Sequence, residues 1–241
     1  MTEWTIRTDG AVVAPMRSPV PSLWLVAALL VFHQVALTVI HYGIGPALGF
    51  DPGSAWLVSA TIVVAAILVL LIIALDVRTP GRSHAILLTL PRWNARTFGT
   101  MLAGLAIAQI PLGILELQGA TVWQAGAGSN LEVGRALLAS ISGPSALALL
   151  AATVLVAPMI EELLYRGYLV GALIERIPAA VVAVISALTF VTLHFEPANL
   201  VASLCLGLGA ALCALRTRSI LPGLLVHIAS NGFGMWYVTL G

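Results

Sequence analysis

The sequence is poor in charge, contains no lysine and has only two cysteines. Of its 241 residues 9% are charged, against roughly 25% in a soluble domain, and 60% are hydrophobic. The net charge of +1 provides no basic surface of the kind that nucleic acid requires, so no nucleic-acid partner is expected. The composition excludes an ordinary soluble domain and predicts an integral membrane protein.

The two cysteines are not expected to form a disulfide. Cys205 and Cys213 lie eight residues apart on one predicted helix. This spacing separates them by about 12 Å along the helix axis, which is too far for a bridge. We therefore expect both to be small packing residues.

Apolar runs of about 20 residues predict transmembrane helices rather than the short alternating strands of a barrel. We expect an all-α, polytopic membrane helix bundle with about seven transmembrane helices. No internal repeat is visible. The predicted spans are 22–41, 54–75, 97–116, a fourth from about 145 into a charged motif, 178–195, 198–215 and 220–239.

The arginines orient these spans. Ten of the eleven lie in the N-terminal tail or in the segments after the second, fourth and sixth spans, which are all on one side of the membrane. The opposite side carries only Arg135. Cytoplasmic loops are enriched in basic residues, so the N-terminus is predicted to be cytoplasmic. Residues 1–20 form the predicted tail, 21–144 the N-terminal helices and loops, and 145–241 the C-terminal core of the same domain.

A charged motif ends the fourth apolar run. It contains Glu161, Glu162 and Arg166. On a helix Glu162 and Arg166 are i,i+4 neighbours and share a face, whereas Glu161 is rotated by about 100°. Ionisable groups within a span are costly and suggest function, although the motif could also simply end a span at the membrane border.

Two other predicted spans carry polar residues that could lie near this motif. If the fourth helix continues to about Arg176 and Pro178 begins the next, Glu161 and His194 each lie about 24 Å from the turn, at matching depth. His227 and Asn231 are i,i+4 on the last span and point from one face. His33 on the first span is interpreted as a helix–helix hydrogen-bonding residue.

These motifs resemble the CPBP intramembrane proteases, which include the CAAX prenyl endopeptidases. The matching patterns are Glu-Glu-x-x-x-Arg, Phe-x-x-x-His and His-x-x-x-Asn, in the order of the family. They cover residues 161–231. The matching residues are Glu161, Glu162, Arg166, Phe190, His194, His227 and Asn231.

The resemblance implies a glutamate-type peptidase. Glu161 with His194 would activate a water, and His227 and Asn231 would stabilise the oxyanion. Glu162 with Arg166 would form a supporting ion pair or help to shape the site or contact substrate, and Phe190 would be a further supporting residue. No cofactor is then needed. A zinc alternative stays open, with Glu161, His194 and His227 as ligands. The chain has neither the Gly-x-Ser-x-Gly of serine hydrolases nor the His-Glu-x-x-His of common zinc proteases.

The resemblance also implies membrane lipid and a membrane-embedded or lipidated peptide or protein as partners. Bacterial relatives suggest the bacterial inner membrane. The alternative function is a non-catalytic, proton-coupled transporter or membrane scaffold, because paired carboxylates and histidines also serve as proton relays. No inverted repeat favours transport.

Overall fold

The computed structural model describes residues 19–117, 143–194 and 200–239. This part of the chain is helical, without strands, and its eight helices are numbered α1 to α8 here. Their bounds are α1 Leu23–Ala47, α2 Ala55–Asp76, α3 Arg82–Ala85, α4 Ala95–Leu117, α5 Pro144–Leu173, α6 Ala179–His194, α7 Leu200–Thr217 and α8 Leu221–Thr239.

The seven long helices coincide with the seven predicted spans, and the predicted helical membrane bundle is confirmed. By length and composition α1, α2, α5 and α7 can each cross a membrane, and α6 contains a shorter apolar helix, Ala179–Leu193. The crossing of α4, α6 and α8 stays a prediction. Residues 1–18, most of the predicted tail, and the segment 118–142 lie outside the described residues.

The side chains of α2 are arranged as in a membrane helix. Ser59 and Thr61 are buried, whereas Ile67 and Leu71 are exposed. Lipid solvates apolar groups as well as a protein core does, so helix contacts in membranes rely on small and hydrogen-bonding residues. At the start of the helix, Ser54 accepts a hydrogen bond from the Leu57 amide at 3.3 Å and caps it.

The central helix is α5, and every residue from 162 to 173 is buried. Its 30 residues are about 45 Å long, more than the hydrocarbon core of a bilayer. It continues past Arg166, as predicted, and Pro178 directly precedes α6. The carbonyl of Pro178 accepts the first α6 hydrogen bonds, from Val181 and Val182. The predicted α5–α6 hairpin is therefore present.

Two stretches of α5, Ala152–Val156 and Glu162–Leu169, are π-helical. These wider turns change the direction of side chains and often occur at functional sites. The second stretch carries Glu162 and Arg166. It is the part of the helix from which the site described below is built.

Small residues bring the helices around α5 close together. A Cβ at Gly209 of α7 would collide with the backbone of Gly104 in α4, and one at Gly207 would lie 3.0 Å from Ala187 of α6. Both cysteines are free, and Cys213 is buried in the α4–α7 contact, as expected for a packing residue. This packing holds the helix α7 against the charged part of α5.

The segment after α2 packs into the bundle. Asp76 at the end of α2 forms an ion pair with Arg82, with Oδ2 2.8 Å from Nε, and accepts a hydrogen bond from the Tyr168 hydroxyl of α5 at 2.8 Å. Ile86 is fully buried, and a Cβ at Gly167 would lie 3.1 Å from its carbonyl oxygen. The connection thus supports the face of α5 that follows the charged motif.

Candidate active site

Glu162 and Arg166 form the predicted ion pair. The Nη1 of Arg166 lies 2.9 Å from Oε1 of Glu162, and neither side chain has exposed surface. The Nη2 of Arg166 donates to the Gly207 carbonyl at 3.0 Å. The arginine therefore links α5 to α7. A buried charge needs such partners, because an unpaired one would be strongly destabilising.

His227 of α8 contacts both glutamates. Its Nδ1 lies 2.9 Å from Oε1 of Glu162, and its Nε2 lies 3.5 Å from Oε2 of Glu161. An ionised carboxylate only accepts hydrogen bonds, so Nδ1 carries the proton in its bond to Glu162. In the neutral ring Nε2 is then an acceptor that faces a second acceptor. A proton or a donor group between Nε2 and Oε2 of Glu161 would bridge the two atoms.

The two glutamates differ in accessibility. The side chain of Glu161 is 14% exposed, whereas that of Glu162 is 0% exposed. This follows from the rotation between neighbouring helix positions, which turns Glu162 toward Arg166 and Glu161 toward His227. A molecule that enters the site can therefore contact Glu161 while the ion pair stays intact, whereas contact with Glu162 would require the pair to rearrange.

Phe190 of α6 packs at the centre of this group. Its ring makes edge contacts with Tyr165, at 5.2 Å between centroids, and with His227, at 5.7 Å. The guanidinium of Arg166 lies 4.8 Å above the same ring, within cation–π range. The aromatic ring thus holds both the arginine and the histidine in place.

His194 is the last residue of α6, and its side chain lies outside the described residues. Its backbone position lies one helical turn beyond Phe190, whose ring packs against Tyr165. In an antiparallel hairpin, one turn back from Tyr165 along α5 is Glu161. The backbone positions of Glu161 and His194 are therefore level with each other, as the predicted pairing requires. The pairing of the side chains stays a prediction.

Asn231 lies one turn after His227 and contacts a π-helical stretch of α5. Its Nδ2 donates to the Thr153 carbonyl at 3.1 Å. The amide group has a second hydrogen available for another acceptor. Its neighbour Ser230 accepts from Gln109 of α4 at 3.1 Å, which ties α8 to α4.

Three contributions to the site were not predicted from the sequence. His227 bonds to Glu162 as well as facing Glu161, Tyr165 packs beside Phe190, and Gly223 lies against the ion pair. A Cβ at Gly223 would lie 2.9 Å from Oε2 of Glu162. That oxygen is buried and has no hydrogen-bond partner in the described part of the chain. No local sequence pattern indicates a contact that depends on how α8 packs on α5.

Among the described side chains, no group of three histidine, cysteine or carboxylate residues is arranged to hold a metal ion. The predicted trio of Glu161, His194 and His227 includes one side chain outside this set. Zinc binding by this trio therefore stays a prediction.

Comparison with known proteins supports the resemblance stated above. Residues 143–233 match the family model described as Type II CAAX prenyl endopeptidase Rce1-like. The match covers α5, α6, α7, the part of α8 up to residue 233 and all three motifs, and it confirms the resemblance to the CPBP and CAAX-type family. Neither the curated proteins nor the solved structures yielded a match.

Proposed function

We propose that this chain, whose C-terminal region matches the CAAX-type endopeptidases, is an intramembrane endopeptidase that uses Glu161 to activate water. The family match implies a peptidase, and the apolar helices support an integral membrane protein. The observation that carries the proposal is the pair formed by Glu161 and His227. Two acceptor atoms 3.5 Å apart face each other inside a helical bundle, beside a buried ion pair.

The proposed reaction begins with a water beside Glu161. The Glu161 carboxylate takes one proton as the water oxygen attacks the peptide carbonyl carbon, and the C=O π electrons move onto its oxygen. Glu161 then gives that proton to the peptide nitrogen as the C–N bond breaks. His194 would help to position the water, as the family resemblance implies.

The oxyanion of the tetrahedral intermediate needs hydrogen-bond donors. We assign this role to the second amide hydrogen of Asn231 and to Nε2 of His227 when that nitrogen is protonated. Glu162 supports the second assignment, because its bond to Nδ1 fixes the orientation of the ring. Arg166 in turn holds Glu162 in the orientation that reaches Nδ1.

Zinc is the alternative that the same geometry accommodates. Two ligands of a tetrahedral zinc, each at about 2.05 Å, are separated by about 3.3 Å. The 3.5 Å between Glu161 and His227 is close to this value. The bond from Nδ1 of His227 to Glu162 also matches the carboxylate partner typical of zinc-bound histidines. Bound zinc would act as a Lewis acid, held by Glu161, His227 and, as predicted, His194.

The experiment for the proposed function compares cells that produce the wild-type protein, Glu161→Gln or Glu175→Gln. Glu175 is exposed and lies beyond the end of α5, so it serves as the control. Mass spectrometry of protein termini in the membrane fraction should show cleavage products with the wild type and the control only. If Glu161→Gln cells yield the same termini as wild-type cells, the protein is not a Glu161-dependent peptidase.

The metal alternative needs a separate measurement on purified protein. Under the proposed mechanism a strong chelator leaves cleavage unchanged. Loss of cleavage with the chelator and recovery with added zinc would replace the metal-free mechanism with the zinc one. Either result leaves Glu161 at the reacting centre.

The substrate class and location also belong to this proposal. We propose a membrane-embedded or lipidated peptide or protein as substrate, because Glu161 lies within an apolar helix. The inner membrane of a bacterium and a cytoplasmic N-terminus follow from the resemblance and from the arginine distribution.

A further inference from the structure

A basic cleft lies where the start of α4 approaches the end of α7. It is at the opposite end of α7 from the one that follows α6. It has a volume of about 630 Å³ and is lined by four arginines from two separate parts of the chain. Arg96 lies in the first turn of α4 and Arg92 just before that helix, whereas Arg216 lies in the last turn of α7 and Arg218 just after it. The proposed peptidase chemistry uses none of these residues.

The charge of this cleft is largely uncompensated. Arg218 pairs with Glu175 at 3.4 Å, and both side chains are exposed. Among the described residues no carboxylate pairs with Arg92, Arg96 or Arg216, and no carboxylate lines the cleft. Arginine binds phosphate with parallel hydrogen bonds, so several unpaired arginines around one cavity favour a phosphate group.

The walls of the cleft are held by hydrogen bonds between distant segments. The Thr89 hydroxyl donates to the Arg218 carbonyl at 2.9 Å, and the Ile220 amide donates to the Leu87 carbonyl at 3.0 Å. Leu87 and Arg218 are the two non-glycine residues with positive φ in the described part of the chain, at 57° and 55°. Residues other than glycine seldom adopt this backbone conformation unless surrounding contacts impose it. The backbone that carries the arginines is thus held in place by contacts between distant segments.

The first turn of α4 adds to the positive potential. Asn94 caps this helix by accepting from the Thr97 amide at 3.0 Å, and both residues line the cleft. A helix N-terminus carries partial positive charge, which favours an anion near the arginines. The helix end supplements the arginine cluster rather than forming a site alone.

Neighbouring aromatic residues place the cleft at the membrane surface. Trp93 and Phe98 are exposed and lie 5.8 Å apart between ring centroids. Leu90, which lines the cleft, is also largely exposed. Aromatic belts lie at the level of lipid headgroups, and both α4 and α7 have an end at this position. An anionic membrane lipid presents its phosphate at this depth.

We propose that this cleft binds the phosphate of an anionic phospholipid headgroup. Arg92, Arg96 and Arg216 contact the phosphate, and the acyl chains lie along the apolar surface beside Trp93 and Phe98. Basic clusters at the cytoplasmic surface attract anionic lipids, and the positive-inside prediction places all four arginines on that side. Bound lipid would connect the starts of α4 and α8 through the loops that form the cleft.

The test titrates lipids into purified protein in a neutral detergent and follows both thermal unfolding and native mass spectrometry. The double variant Arg96→Gln with Arg216→Gln removes one arginine from each wall of the cleft. The control, Arg78→Gln with Arg176→Gln, removes the same charge from exposed arginines outside it. Phosphatidylglycerol, phosphatidylcholine and inorganic phosphate are compared on each protein.

Phosphatidylglycerol should raise the unfolding temperature of the wild type and the control, and should be retained by both. The cleft variant should bind it roughly tenfold or more weakly, because each arginine near anionic lipid contributes several-fold. Undiminished binding by the cleft variant, or an equal loss in the control, would overturn the proposal. An equal effect of inorganic phosphate would also overturn it, in favour of a site for free phosphate.

Discussion

Oε1 of Glu162 lies 2.9 Å from Nδ1 of His227, and it is the same oxygen that accepts a hydrogen bond from Arg166. One carboxylate oxygen thus joins α5 to His227 of α8. The arrangement gives Glu162 a structural and orienting role, and it leaves Glu161 as the carboxylate that can act on a substrate.

The two glutamates should respond differently to removal of their charge. Glu161→Gln should abolish peptide cleavage while leaving thermal unfolding close to that of the wild type. Glu162→Gln should lower the unfolding temperature and the yield, because it leaves the fully buried Arg166 without its carboxylate. Unfolding is measured in detergent and cleavage on a protein found by the analysis of termini. Indistinguishable behaviour in both assays would contradict the separation.

The buried ion pair should contribute more to function than to stability. Arg166→Met should destabilise the fold by about 3–5 kcal/mol, since it strands a buried carboxylate. Combining it with Glu162→Leu should recover much of that loss, because two apolar side chains replace the pair. The double variant should still fail to cleave, since Nδ1 of His227 has lost its acceptor. A double variant that remains as unstable as Arg166→Met would indicate that the pair itself stabilises the bundle.

Gly223 should resist even the smallest side chain. A methyl group there would lie 2.9 Å from the buried Oε2 of Glu162 and 3.1 Å from the Ala210 carbonyl. Gly223→Ala should therefore displace the Glu162 side chain and reduce cleavage. Gly234→Ala on the same helix is the control, because no atom of the described residues lies within 4 Å of its added methyl. Equal activity of the two variants would show that α8 moves away from Glu162 at no cost.

Asn231 should matter for the rate of reaction more than for stability. Asn231→Ala removes one hydrogen bond to the Thr153 carbonyl, worth about 1 kcal/mol. Loss of an oxyanion donor should lower kcat by roughly 100-fold or more with little change in KM. Ser230→Ala is the matched control, because it also loses one hydrogen bond between helices, from Gln109. A kcat loss no larger than that of the control would assign Asn231 a packing role only.

The helical membrane class and the candidate residues were readable in the sequence. Apolar runs of about 20 residues specify helices in lipid, because only a helix satisfies its own backbone hydrogen bonds there. The i,i+4 spacing was sufficient to predict the Glu162–Arg166 pair, since neighbours on one helix are set by local geometry. The continuation of α5 to the turn before Pro178 followed from counting residues on both sides of that turn.

Contacts between helices were decided only by the tertiary structure. Spacing along α8 placed His227 and Asn231 on one face but could not show that the imidazole would contact both glutamates. Its bond to Glu162 depends on the π-helical stretch that carries Glu162, and on Gly223 and Gly207, whose missing side chains let α8 and α7 approach the buried pair. Likewise, loop charges assigned Arg96 and Arg216 to one side of the membrane. Only the packing of α4 against α7 brings them to a single cleft, because side-chain proximity between distant segments is set by helix packing and not by local sequence.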